Sequence, residues 1–198
     1  MKTMNEGQDT VTLSPLFGEG GVLQSGAPLR IWGTGRPCSQ VRITIADRSA
    51  DAVVGDDGAW VVQLDPLEPG GPYRLEGRGD GGDEPVIAHD VYAGEVFICA
   101  GQSNMEYQME FLRWRYPSEY TREPDPLLRH CKVPVRFDFH GPRRDFDEPV
   151  RWVGAAADTL DEFTGVGYFF GRMVRAWLGV PVGLLNITLG GSPIESWM

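Results

Sequence analysis

The chain has 198 residues, 41% hydrophobic and 11% aromatic, with 28 acidic side chains against 18 basic ones for a formal charge of −10. That is enough apolar material for one sizeable core or two small ones, which excludes a disordered polypeptide, and an acidic balance without any long Lys/Arg run excludes nucleic acid and anionic lipid as partners. No apolar stretch is long enough to span a membrane and residues 1–8 lack the apolar run of an export signal, so a cytoplasmic location is expected. Cys38, Cys99 and Cys131 are odd in number and far apart, which fits reduced thiols better than a disulfide framework or a zinc site.

Up to residue 92 the chain is a series of short β-like runs, residues 21–24, 29–32, 41–46, 52–54, 59–64, 73–76 and 85–91, separated by Gly, Pro and Asp clusters. Their close spacing predicts an antiparallel β-sandwich over residues 1–92. Asp56-Asp57-Gly58 predicts a hairpin between its flanking runs, because Asp-Gly tolerates the positive φ of a tight turn. Residues 66–72, rich in Pro and Gly, force an irregular connection. His89 is the single histidine of this half and reads as a surface or hydrogen-bonded residue, and no catalytic constellation accompanies it.

Residues 93–198 read as α/β. Residues 95–100 are a continuous run of the kind found in a buried parallel strand, and they lead straight into Gly101-Gln102-Ser103-Asn104. A helix is predicted over residues 105–114, then a long loop over 116–134 and a second strand over 135–139. Between Gly165 and Leu178, Val166, Phe169, Phe170, Met173, Val174, Trp177 and Leu178 repeat a helical spacing, which predicts a helix with this stripe in the core. Gly179 and Pro181 stop it, and residues 182–187 form the next strand. Ser192-Pro193-Ile194-Glu195 is a capping box that starts another helix. With so little chain left to finish that helix or cover the last strand, the sequence is expected to stop in mid-domain.

The chemistry centres on Ser103. A serine in a sharp turn between a buried strand and a helix has its hydroxyl at the carboxyl end of the sheet, where open α/β folds bind ligands. Backbone N–H groups there can stabilise the oxyanion formed when a serine attacks an ester. Gly190-Gly191 follows the later strand and can bring a second N–H to the same place. Gly-x-Ser alone occurs in many purely structural turns.

The wider context is more specific. Gly101-Gln102-Ser103-Asn104-Met105, preceded by Gly94-Glu95-Val96-Phe97-Ile98-Cys99, resembles the nucleophile block of sialate O-acetylesterases and related SGNH-hydrolase carbohydrate esterases. Residues 166–172 and Gly190-Gly191-Ser192-Pro193-Ile194-Glu195-Ser196-Trp197-Met198 resemble later landmarks of that family, and Val22-Leu23-Gln24, Ile31-Trp32-Gly33 and Gly70-Gly71-Pro72-Tyr73 its N-terminal β-domain. The resemblance implies a β-sandwich followed by part of an SGNH-type three-layer α/β/α domain, acting on an acetylated sugar; because no His/Cys/Asp/Glu cluster in the sequence has ligand spacing, catalysis without metal or other cofactor is expected. It also implies Ser103 as nucleophile and backbone oxyanion donor, Gly190 and Gly191 in the oxyanion hole, and Gln102 and Asn104 at the substrate.

The family's Gln-Gly-Glu and Asp-x-x-His blocks are not present in this sequence. A serine without a base is a poor nucleophile, so the isolated chain is expected to be nearly inert and to self-associate or await a complementing polypeptide. His130 and His140 are the local candidates for a base, and ordinary structural roles explain both. Asp138, Asp145, Asp147 and Glu148 among Arg136, Arg143 and Arg144 read as solvated ion pairs. Glu106 and Glu110 either touch substrate hydroxyls or line a solvated helix face. Two other classes stand beside the esterase reading: a non-catalytic carbohydrate-binding protein that uses Trp and Tyr faces, and a subunit fragment completed by another polypeptide.

Overall fold

The computed structural model describes residues 10–137, 140–141, 143–146 and 148–197. The first strands are β1 (Thr12–Leu13), β2 (Val22–Gln24), β3 (Leu29–Thr34), β4 (Gln40–Ile45), β5 (Arg48–Val53) and β6 (Ala59–Leu64). They are followed by β7 (Gly70–Gly79) and the long β8 (Val86–Cys99). Alternation decides their faces: in β4 Val41, Ile43 and Ile45 are buried while Gln40, Arg42 and Thr44 are exposed. Strands β1, β3 and β6 form one antiparallel sheet, and β5, β4, β7 and β8 a second one facing it. Ile31, Trp60, Val62 and Leu75 close the core between them, each burial worth about 1.5–3 kcal/mol.

Two details differ from the sequence expectation. Asp56-Asp57-Gly58 does make a tight turn, with Gly58 at φ 78° and its N–H donating to the Gly55 carbonyl at 2.9 Å. However, β5 and β6 pair in different sheets, so the turn carries the chain across the sandwich and is not a hairpin. The sandwich is also not wholly antiparallel, because β2 lies parallel to β8 over Tyr92–Gly94.

Strand β8 links the two halves. Its first part pairs with β7, and Glu95–Cys99 continues as a parallel strand of the α/β half; residue 92 lies inside it. Beyond it come α1 (Ser103–Glu106), α2 (Met109–Leu112), β9 (Asp125–Lys132), β10 (Trp152–Ala155), α3 (Gly165–Leu178) and β11 (Val182–Asn186). The sheet runs β10-β9-β11-β8, with β11 parallel to both β8 and β9. One face carries α3. The other is covered by Leu16, Val22, Tyr92 and Trp152, so among the described residues there is a helix layer on one side only.

Four expectations in this half are corrected. The predicted helix over 105–114 is two single turns, because Tyr107 and Gln108 leave helical geometry to pair with the start of α3: Gly165 N–H donates to Tyr107 O at 2.8 Å and Met109 N–H to Phe163 O at 2.9 Å. The second strand is β9, inside the expected loop. Residues 135–137 are irregular, and Asp138 and Phe139 lie outside the described residues. Strand β9 hides in sequence because its buried positions include Arg129 and His130, and a buried Arg needs partners to be affordable. Arg129 has them in Asp90 at 2.6 Å, Gly20 O at 3.1 Å and Pro126 O at 2.8 Å. The capping-box segment forms a single 3₁₀ turn, Ile194–Trp197, with the Ser192 hydroxyl donating to Leu189 O at 2.6 Å.

Helix α3 is the fourth case. Its ends are as predicted, with Thr164 Oγ1 accepting from Gly167 N–H and Gly179 closing the last turn at φ 70°. Most of its apolar stripe lies outside the core: Met173 is 70% and Trp177 83% exposed, Val166, Phe170 and Leu178 are also exposed, and of the stripe only Phe169 and Val174 pack against the core. The face against the sheet is instead Gly167, Tyr168 and Gly171. A Cβ at Gly171 would meet Leu128 Cδ1 at 2.8 Å and Leu184 Cδ1 at 3.0 Å, and one at Gly167 the Cys99 sulfur at 3.0 Å. Glycines let the helix lie close to the strands, and periodicity alone cannot tell which face finds a partner.

Candidate active site

The adjacent parallel strands β8 and β11 end side by side, and the turns that leave them are stitched together. Ile187 N–H donates to Cys99 O at 3.1 Å and Leu189 N–H to Gly101 O at 3.0 Å. Gly101, at φ 141°, turns the chain out of β8 into α1. Behind the second turn the buried Asn186 accepts through Oδ1 from Thr188 N–H at 3.1 Å and from its hydroxyl at 2.7 Å. This pair fixes the path from β11 towards Gly190.

Ser103 opens α1 and is exposed. Its hydroxyl donates to Gln102 Oε1 at 2.9 Å, and the same oxygen accepts from the Ser103 N–H at 3.3 Å. Gln102 therefore acts first as the helix cap. Asn104 is exposed beside it. Gly190 is brought to the same helix by Glu106, whose Oε2 accepts from the Gly190 N–H at 2.7 Å. Gly191 follows at φ 76° with open space where a side chain would stand. The structure thus brings Gln102, Ser103, Asn104, Gly190 and Gly191 to one open end of the sheet.

The geometry limits what the site does as it stands. Helix α1 is a single turn, so few aligned peptide dipoles back Ser103. The Ser103 hydroxyl is bonded to a neutral amide oxygen, and no histidine or carboxylate among the described residues accepts from it. The Gly190 N–H is held by a carboxylate. Sequence reasoning weighed Glu106 only as a substrate contact or a solvated side chain; the signal for its clamp was its place one helical turn after Ser103.

The other candidates lie elsewhere. His130 is 1% exposed on β9, stacked on Phe163 with ring centroids 4.8 Å apart. Burial, helped by nearby Lys132, pulls its pKa down to about 4, so it is a neutral core histidine. His140 and His89 are exposed. Arg136 and Glu148 form an exposed ion pair at 2.7 Å, and Arg144 pairs with Asp57. Asp145 instead accepts from Ser14 Oγ at 2.7 Å and Trp32 Nε1 at 3.1 Å, which ties its loop to the β-sandwich. Asp147 lies outside the described residues. No group of three or more His, Cys, Asp or Glu among the described residues is placed to hold a metal, and no described helix is long and apolar enough to cross a membrane.

Comparison with known proteins gives this geometry a context. Residues 93–198 match the family model for carbohydrate esterase, sialic acid-specific acetylesterase. The sialate O-acetylesterase of Pongo abelii is 30% identical over 191 residues, covering 84% of this chain and 34% of its own length. That of Homo sapiens is 29% identical over 194 residues, again 84% of this chain and 34% of the relative. The crystal structure of a carbohydrate acetylesterase from Xanthomonas citri superposes with a TM-score of 0.88 at 35% identity, over 96% of this chain and 42% of that one. The chain spans about a third of the length of the curated relatives it matches. With more than half of its residues inside the family model, at the segment that carries both turns, the chain belongs to the sialic acid-specific acetylesterase family of carbohydrate esterases.

Proposed function

We propose that this chain carries the nucleophile part of a serine-dependent carbohydrate O-acetylesterase. Ser103 Oγ attacks the acetyl carbonyl, and the N–H groups of Ser103 and of Gly190 or Gly191 receive the developing oxyanion. The acid and histidine that activate the hydroxyl come from polypeptide outside these 198 residues. The observation that carries the reading is the stitching of the two turns, Leu189 N–H to Gly101 O at 3.0 Å, which sets the Gly190 turn beside Ser103.

Each step has a physical reason. Ester attack needs the Ser103 proton removed as the C–O bond forms, and Gln102 Oε1, a neutral amide, cannot take it. General-base help is worth ~10²–10⁴-fold. The isolated chain is therefore nearly inactive. As the carbonyl oxygen gains charge it replaces Glu106 Oε2 as acceptor at the Gly190 N–H, because two anions cannot share one donor. Collapse of the tetrahedral species expels the sugar alkoxide, which takes the proton from the histidine, and water then frees the serine as acetate leaves. Tyr107, just after α1, and Phe111 of α2, half exposed with ring centroids 5.3 Å apart, offer a sugar ring an apolar face.

The test is hydrolysis of a chromogenic acetyl ester and of O-acetylated sialic acid. The isolated chain is compared with a hybrid in which the Xanthomonas citri carbohydrate acetylesterase sequence following the matched region continues it. Activity appears in the hybrid and drops at least ~10³-fold in Ser103→Ala. Hydrolysis that survives Ser103→Ala would refute the proposal.

A further inference from the structure

We infer that the cleft between the outer face of β3 and the segment that follows β9 is a binding site for a neutral sugar ring, with Trp32 as its stacking wall. The inference goes beyond the acyl chemistry and does not depend on it. In β3, Leu29 and Ile31 face the sandwich core, so Arg30, Trp32 and Thr34 face outward. Trp32 is only half-buried there. It lines a cleft of about 390 Å³ together with Val133, Pro134 and Phe146, within the size range of small-molecule sites. The ring is held on two sides: Phe17 meets it edge to face at 4.5 Å, and Asp145 Oδ2 accepts its Nε1–H at 3.1 Å. Asp145 is itself fixed, accepting from Ser14 Oγ at 2.7 Å and from the Phe146 N–H at 2.8 Å. The aromatic wall therefore costs little entropy to present to a ligand.

The polar lining suits hydroxyl groups better than a charge. Arg136 Nη2 donates to Glu148 Oε1 at 2.7 Å, Arg144 pairs with Asp57, and Arg143 is also engaged. Asp145 meanwhile accepts the three hydrogen bonds from Ser14, Trp32 and Phe146. The charges around the cleft are thus compensated among themselves, and it offers an anion no net attraction. A guanidinium carries five donors and a carboxylate about four acceptor sites, so a single mutual bond exhausts neither partner of an ion pair. Charge-assisted donors and acceptors beside an aromatic face match a pyranose ring, whose axial C–H groups form an apolar face and whose equatorial hydroxyls both donate and accept. A phosphate lacks the C–H face, and a wholly apolar ligand would strip water from the ion pair without replacing it. The position is also informative. Val133 N–H donates to Asn186 O at 2.9 Å, so the cleft begins where β9 ends. That is the end of the sheet that carries Ser103, two strands over from β8, or about 10 Å.

The test is calorimetric titration of the 198-residue chain with cellotetraose as the neutral probe and tetragalacturonate as the charged one. Cellotetraose should bind saturably, and raising the salt concentration should leave its affinity unchanged, since the ligand carries no charge. Trp32→Ala should weaken binding about tenfold, the loss of one aromatic face, and Arg136→Ala severalfold, the loss of one charged hydrogen-bond partner. Trp32→Ala also removes packing on Phe17, so Arg136→Ala, in an exposed ion pair, is the variant whose melting temperature must match that of the parent. Ser103→Ala should bind cellotetraose as the parent does. Failure of the Ser103 chemistry would therefore leave this site standing, and failure of sugar binding would leave the Ser103 reading standing. No saturable binding of cellotetraose, or binding that neither Trp32→Ala nor Arg136→Ala weakens, would overturn the inference. So would salt-sensitive binding of tetragalacturonate in place of cellotetraose, which would make the cleft an anion site.

Discussion

Gly94→Ala tests whether the register of β8 against β11 is what holds the two turns together. Gly94 is the last residue of β8 paired with β2, one position before β11 begins to pair. A Cβ there would lie 2.6 Å from the carbonyl carbon and 2.8 Å from the Cβ of Pro181, against about 3.5–4.0 Å for an unstrained carbon contact. The obstacle is backbone, so no side chain can rotate away and the strands must part by about 1 Å. That overpacking costs about 1–3 kcal/mol. It also loosens the Glu95 N–H to Pro181 O bond that starts the β11 ladder, worth about 1 kcal/mol. A loss of about 2–4 kcal/mol lowers the melting temperature by roughly 4–16 °C in a chain of this size. Thermal unfolding followed by circular dichroism measures it, and amide exchange at Leu189 should accelerate as the stitch to Gly101 loosens. A melting temperature within about 2 °C of the parent, with unchanged exchange at Leu189, would refute the idea that this close approach sets the site.

Other outcomes follow from single contacts. Glu106→Ala removes the acceptor of the Gly190 N–H, so that amide should exchange faster at a stability cost of about 1 kcal/mol, the exposure of the turn keeping it small. His130 has its pKa drawn from 6.5 to about 4 by burial first and Lys132 second. The unfolded chain therefore holds more protons between those values, and stability falls by roughly 3 kcal/mol as pH drops through that window. His130→Leu should flatten this slope, read as the difference in urea midpoints at about pH 7 and about pH 4.5. Thr164→Ala removes the α3 cap and should cost about 1 kcal/mol in urea unfolding.

What the sequence made legible is local. The run 95–100 ending at Gly101 announced a strand and a turn, and Gly165 to Gly179 announced a helix with its stops, because these signals depend on neighbouring residues. Strand β6 was predicted at its observed bounds for the same reason. What stayed hidden depends on distant partners. Arg129 and His130 could not be read as strand core without Asp90, the Gly20 carbonyl and Phe163. The break at Tyr107-Gln108 exists because Phe163, Thr164 and Gly165 offer those residues a better pairing than a third helical turn. The α3 stripe was visible as a period, yet Gly167 and Gly171, invisible to a hydrophobic count, chose which face met the sheet. At the site, Ser103 and the Gly190-Gly191 turn were named from sequence and lie together, whereas the Glu106 clamp needed the fold.

The most direct test of the central claim is to trap the acyl intermediate. The hybrid enzyme is mixed with a chromogenic acetyl ester, quenched in acid within a turnover, digested, and mapped by mass spectrometry. The account predicts one acetyl group on the peptide containing Ser103, absent in Ser103→Ala and in the isolated chain. An active hybrid that carries the acetyl group on another residue, or turns over with none on Ser103, would contradict it.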